Sequence, residues 1–111
     1  RGPAAGPPAA GRSADTPAPP AAGLTEENVP IAAALAALAR GAPGDAIAAL
    51  EQHARRFPDG QLAEEREALW IQALVTAGDA ASARARAERF RRRFPGGIQQ
   101  EAVSAALEKI Q

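Results

Sequence analysis

The chain of 111 residues has no cysteine, no methionine and no tyrosine, and it has a single histidine and a single tryptophan. Without cysteine it can form no disulfide, no thiolate metal site and no cysteine nucleophile. His53 is the one candidate for acid–base chemistry near neutral pH, and no serine stands near it in the sequence. The sequence therefore predicts no catalytic residue, no cofactor and no metal ion, and a protein that is not an enzyme.

The sequence also has no excess of positive or negative charge and no long apolar run. Thirteen basic and thirteen acidic side chains give a net charge of zero, which argues against nucleic acid as the partner. No apolar run approaches the ~20 residues needed to span a bilayer, so no transmembrane segment is expected. Because the chain opens at Arg1 without a methionine, we expect a processed or excised piece whose upstream segment lies outside this sequence.

Residues 1–23 consist mostly of alanine, proline and glycine. Their small side chains bury too little apolar surface to offset the entropy cost of ordering, and proline favours extended conformations. We predict a disordered linker over 1–23, followed by one domain over 24–111. A proline-rich ligand around Pro17, Pro19 and Pro20 is the alternative interpretation.

From Leu24 onward the sequence has helical periodicity, interrupted by glycine and proline that end helices. No alternating β-branched run is present, so no strand is expected. The third helix is apolar around most of its circumference, which predicts a central position with Trp70 buried between neighbours. The predicted helices span 25–40, 44–57, 60–77, 79–94 and 98–110.

The sequence also repeats itself with a period of 37 residues. Gly41 aligns with Gly78, Gly60 aligns with Gly97, and the run Arg-Arg-Phe-Pro occurs at 55–58 and again at 92–95. Two copies of a helix–turn–helix unit indicate an α-solenoid, in which each unit covers the bare face of its neighbour.

This unit resembles a tetratricopeptide repeat, because glycine stands at the turn between helices, alanine stands early in the second helix and proline closes the unit. The residues that carry the resemblance are Gly41, Ala46, Leu50 and Pro58, then Gly78, Ala83 and Pro95. The Phe-Pro-x-Gly ending resembles the subgroup found in bacterial envelope proteins, such as the periplasmic factor of the Tol-Pal machinery and the lipoprotein of outer-membrane barrel assembly. The run from 46 to 69 also resembles a domain of myxobacterial envelope and regulatory proteins.

The resemblance implies an all-α fold, a right-handed α-solenoid of about two and a half tetratricopeptide-like helix pairs. It implies a non-enzymatic protein–protein interaction module of a bacterial envelope or membrane-tethered regulatory protein, periplasmic rather than cytoplasmic. A groove formed by the first, third and fifth helices would hold the partner. On the third helix, the residues predicted to bind it are Glu65, Gln72 and Thr76, with Trp70 as an anchor if it is not buried.

Six arginines and one glutamate crowd the fourth helix. Spread over the solvent side, they are predicted to be solvated and to pair with Glu51, Glu88 or Glu101. The alternative function is binding of a polyanion or a lipid headgroup through Arg89, Arg92 and Arg93.

The sequence supports two further interpretations. His53 shares a stripe with Leu50, so we expect it in the core, bonded to a carboxylate such as Glu65. In the first helix no charged residue occurs between Glu27 and Arg40. There we expect an inward stripe of Ile31, Leu35 and Leu38 and an alanine flank that docks against a second copy of the chain or an upstream segment.

Overall fold

The structure, a computed structural model, describes residues 19–110, with side chains from residue 24 onward. Over this range it contains helices and no strand, which confirms the all-α prediction. Four of the helices lie within a few residues of their predicted bounds. The helices are α1 (Pro19–Ala39), α2 (Pro43–Arg56), α3 (Ala63–Thr76), α4 (Ala80–Arg93) and α5 (Gln100–Glu108).

The first helix is longer than predicted. It begins at Pro19, inside the segment expected to be linker. The remainder of that predicted linker, residues 1–18, lies outside the described residues. None of the helices within 19–110 is both long enough and apolar enough to cross a bilayer.

The two repeats of the sequence are two structural units in register. Helices α2 and α4 begin and end at positions that differ by the repeat period. Gly41 and Gly78 have φ angles of +75° and +83°, a left-handed conformation that glycine adopts without steric cost where a helix ends. Helix α3 packs against each of the other four helices, as its apolar circumference predicts.

The apolar core is divided between the two units. One cluster joins α1, α2 and α3, and the other joins α3, α4 and α5, so opposite faces of α3 serve both. Alanine dominates both clusters, which lets the helices approach closely. The first cluster contains Ile31, Ala34, Ala37, Ala46, Leu50, Leu69 and Ala73; the second contains Ala68, Ile71, Ala83, Ala87, Phe90, Val103 and Ala106.

The buried stripe of α1 differs from the predicted one. Ile31 is buried as expected, but Ala34 and Ala37 accompany it, whereas the side chain of Leu35 is 47% exposed and Leu38 is half-buried. The small alanines face α2 and α3 because they allow close packing there. Of the two larger leucines, Leu38 lines a groove shared with α3 and α5.

Candidate functional site: an inner groove, an outer trough and a buried polar network

The first, third and fifth helices form a groove of about 400 Å³. We call it the inner groove, and its floor is apolar with three polar side chains. Its lining residues are Leu38, Gln72, Val75, Thr76, Ala102, Ala105, Ala106 and Lys109. The alanines of α5 leave room for a large partner side chain, and the lining contains a cation but no carboxylate.

Two of the residues predicted to bind a partner, Gln72 and Thr76, line the inner groove. Glu65 lies two turns before Gln72 on the same side of α3, beyond the lining residues. The Thr76 hydroxyl donates to the carbonyl oxygen of Gln72 at 2.9 Å. Among residues 24–110, the side-chain amide of Gln72 has no hydrogen-bond partner.

The repeat explains the polarity of the groove. Gln72 of α3 and Lys109, directly after α5, occupy equivalent positions of the repeat and both line the groove. From the third helix to the fifth the equivalent side chain therefore changes from an amide to a cation. A partner bound across these two helices would meet this change.

Trp70 lies elsewhere, which corrects both predictions made for it. It is half-buried rather than enclosed, and it lines a cavity of about 400 Å³ between α2 and α4 rather than the inner groove. The guanidinium of Arg86 lies 3.7 Å from the centre of its ring, a cation–π contact. We call this cavity and its continuation toward α4 the outer trough; its main lining residues are Ile47, Trp70, Leu74, Arg86, Arg89 and Arg93.

The arginines of α4 do not make the predicted ion pairs with Glu51, Glu88 or Glu101. Arg86 pairs instead with Glu67, and Arg93 donates to Asp59 and to the carbonyl oxygen of Pro58, both at 3.0 Å. Among residues 24–110, Arg89 and Arg92 are exposed and have no hydrogen bond or ion pair.

A buried carboxylate that sequence reasoning missed, Glu27 of α1, joins the two units. It accepts hydrogen bonds from the backbone N–H of Gln61 at 3.2 Å and of Leu62 at 2.7 Å. These amides precede α3, so Glu27 satisfies donors that the start of a helix leaves unpaired. Gly60 is needed here because a β-carbon at that position would overlap the Glu27 carboxylate.

The second unit repeats this contact. Glu64, the equivalent of Glu27, accepts from the backbone N–H of Gln99 at 2.9 Å at the start of α5. A β-carbon at Gly97 would overlap the Glu64 carboxylate in the same way. The common 37-residue spacing of Glu27, Glu64 and Glu101 is the sequence signal that could have predicted this contact.

His53 is fully buried, as predicted, but its partner is Glu27 and not Glu65. Its Nε2–H donates to Glu27 at 2.9 Å, and its Nδ1 accepts from Arg66 at 3.2 Å. Arg66 also donates to the carbonyl oxygen of Phe57 at 3.1 Å and to Glu67 at 2.8 Å. Both ring nitrogens therefore serve a network that continues to Arg86, and the imidazole has no access to a substrate.

Burial lowers the pKa of His53 below its ordinary value of 6.5; the Glu27 hydrogen bond opposes the shift, and the charge of Arg66 adds to it. The charges facing the ring are Glu27, Arg66 and Glu67. The unfolded chain therefore takes up this proton at a higher pH than the folded chain. The stability that the neutral ring provides is fully present above pH 6.5 and is lost as the pH falls toward the lowered pKa.

We accordingly expect the free energy of unfolding to decrease as the pH is lowered from 7 toward the acid side of about 6.5. Urea unfolding at a series of pH values measures this decrease. His53→Gln is the control, because glutamine does not titrate, and its stability should fall less over the same interval. Equal acid slopes for the two proteins would contradict the assignment.

The residues that the structure describes include no group of three or more histidine, cysteine, aspartate or glutamate side chains able to hold a metal ion. The carboxylates of Glu27 and Glu67 are occupied by backbone amides, His53, Arg66 and Arg86. These side chains therefore organise the fold and have no ligand position to offer.

Comparison with known protein families gives a match for this chain. The family model described as YfiO, an outer membrane lipoprotein, matches residues 26–104. The comparisons with curated proteins and with solved structures found no match. The matched range runs from the third turn of α1 to the first half of α5 and includes both Glu–Gly contacts. It also includes Leu38, Gln72, Val75, Thr76 and Ala102 of the inner groove, whereas the other lining residues, Ala105, Ala106 and Lys109, lie beyond it. This chain therefore belongs to the YfiO outer membrane lipoprotein family and has its tetratricopeptide-like fold.

Proposed function

We propose that this domain is a non-enzymatic protein-interaction module of the bacterial envelope, and that it holds a segment of another protein in the inner groove. The observation that carries the proposal is the groove itself, which is apolar, of side-chain size and open on the inner side of three helices. The family's description as an outer membrane lipoprotein supports an envelope location, for which we favour the periplasmic side.

The groove chemistry indicates the kind of segment. Leu38 and Val75 offer apolar contact, Gln72 offers paired hydrogen bonding and Lys109 offers a positive charge at one end. A segment with aliphatic side chains and a carboxylate near α5 would match this order. Burial of its apolar side chains would contribute roughly 25 cal/mol per Å² of apolar surface removed from water.

The outer flank of α1 exposes apolar side chains, which indicates a second contact surface. Val29 is 66% exposed, and Ala32, Ala33 and Ala36 are exposed beside it. The terminal unit of a solenoid normally carries a polar outer face. We propose that this flank is covered by a second copy of the chain or by a segment upstream in the parent protein.

Site-specific photo-cross-linking in the native cell tests both contacts. A photoreactive residue at position 72 should give an adduct with another protein, and one at position 33 should give either a dimer of the chain or an upstream contact. A photoreactive residue in place of Gln52, exposed on α2, is the control and should give neither. Ala105→Trp fills the groove and should suppress the adduct from position 72 alone. Equal adducts from positions 72 and 52 would contradict an inner-groove site.

A further inference from the structure

A second surface of the domain, the outer trough, has the features of a built binding site. It consists of two adjoining cavities, of about 400 and 200 Å³, that share Arg86 and Arg89 as lining residues. One end is apolar, with Ile47, Trp70 and Leu74. The other end is lined by three arginines and one carboxylate, which pairs with Arg86; its lining residues are Glu67, Arg86, Arg89, Phe90, Arg93 and Phe94. This surface lies between α2 and α4 and is separate from the inner groove.

Trp70 and Arg86 form the central pair of the trough, and contacts with buried residues hold Arg86 in place. Arg86 stacks on Trp70 and pairs with Glu67, and Glu67 accepts in turn from the buried Arg66 at 2.8 Å. The side chain of Arg86 is only 21% exposed. Because the polar network orients this guanidinium before any partner arrives, little side-chain entropy is lost when a partner binds over the ring.

The charge of the trough selects the sign of the partner. Within residues 24–110, Arg89 has no ion pair, although it lines both cavities. Arg93 pairs with Asp59, whose side chain is 94% exposed, and also donates to the carbonyl oxygen of Pro58. Ion pairs at the surface exchange partners at little cost. Glu51 is the one carboxylate at the apolar end. Arginine forks bind carboxylates in a two-point geometry, which suits acidic side chains.

We propose that the outer trough binds an extended acidic segment of a partner protein that carries one large apolar side chain. The apolar side chain packs on Trp70, Ile47 and Leu74. The acidic side chains that follow it pair with Arg89 and Arg93. This site is independent of the function proposed for the inner groove.

The shape of the surface favours such a segment over a lipid headgroup layer. Arginines that a flat membrane would meet lie on several sides of α4, whereas the trough places Arg86 and Arg89 beside a recessed tryptophan. Arg91, for comparison, lines a different cavity with Arg84, Glu88 and Leu107. The charge on that side of α4 has no aromatic ring beside it.

Trp70 provides the assay, because it is the single tryptophan and the chain has no tyrosine. The probe is a fluorescein-labelled synthetic peptide of glutamates with one central leucine, titrated with the full chain and followed by anisotropy. Unlabelled peptide is followed by Trp70 emission. We expect saturable binding that weakens with salt, a change in Trp70 emission, and weaker binding when the leucine of the peptide is replaced by serine.

Two variants with the same charge change separate the trough from general attraction to α4. Arg89→Gln should weaken peptide binding about three- to fivefold, the upper part of the range for one exposed ion pair. Arg91→Gln, on the other side of the same helix, should leave it within about twofold. Glu51→Gln should strengthen binding because it removes a like charge. Circular dichroism checks that each variant keeps its helices.

Four results would overturn the proposal. Equal weakening by Arg89→Gln and Arg91→Gln would mean that the peptide responds to net charge alone. Binding to phosphatidylglycerol vesicles without binding to the peptide would assign the arginines to a membrane. No binding of the peptide, or binding without a change in Trp70 emission, would mean that the trough is not the site.

Discussion

Replacing Glu27 by alanine is expected to lower the free energy of unfolding by about 3–5 kcal/mol, the cost of removing one partner from a buried charged network. The carboxylate accepts from His53 and from the backbone N–H groups of Gln61 and Leu62. Its removal leaves the buried His53 Nε2–H and two part-buried backbone N–H groups without their acceptor. Urea unfolding followed by far-ultraviolet circular dichroism measures the loss.

The repeat supplies matched controls for this prediction. Glu64→Ala removes one backbone contact, with Gln99, and should cost about 1 kcal/mol, as for loss of a helix cap. Glu101 is exposed and has no partner among residues 24–110, so Glu101→Ala should change stability by no more than about 0.5 kcal/mol. Equal losses at the three positions would show that the carboxylates act only through helix propensity or charge.

The second large effect is expected at Phe90, which is 2% exposed in the core of the second unit. Phe90→Ala should lower the free energy of unfolding by about 3–5 kcal/mol, because it removes a large apolar side chain and leaves a cavity. The cluster around it consists mainly of alanines, which cannot close the space. Phe94→Ala is the control, since Phe94 is half-buried at the end of α4, and it should cost clearly less. A loss at Phe90 no larger than at Phe94 would contradict this description of the core.

Much of the fold could be predicted from local signals. Apolar periodicity, glycine at helix ends and the 37-residue period determine five helices and their order, because these features act within a few residues or between copies. The exception is α1, whose first turns at Pro19 look like linker by composition. The buried stripe of α1 also differs from the prediction. Alanine and leucine are both apolar, so periodicity does not distinguish them; the short distance between α1 and α2 favours burial of the smaller alanine.

The polar network could not be derived from the same signals. Glu27 and His53 are 26 residues apart and meet only when α1 packs on α2. From the sequence, Glu65 is the predicted partner of His53, because it is nearer in the chain. The Glu65 side chain lies on a different face of α3 from the one near His53. The groove residues were easier to predict, since polar positions on an otherwise apolar helix mark its open side. Trp70 belongs elsewhere because two residues along a helix correspond to about 200° of rotation from Gln72.

The Glu–Gly contact also gives the solenoid a direction. In each case the carboxylate on the first helix of a unit accepts from the backbone at the start of the next unit, and within residues 24–110 no carboxylate makes the reverse contact. Loss of the forward neighbour leaves a glutamate that water can solvate. Loss of the preceding neighbour leaves the backbone amides at the start of a unit without their carboxylate acceptor. The solenoid is therefore more sensitive to damage at its amino-terminal side. The backbone N–H groups at the start of each following unit depend on a carboxylate of the preceding unit.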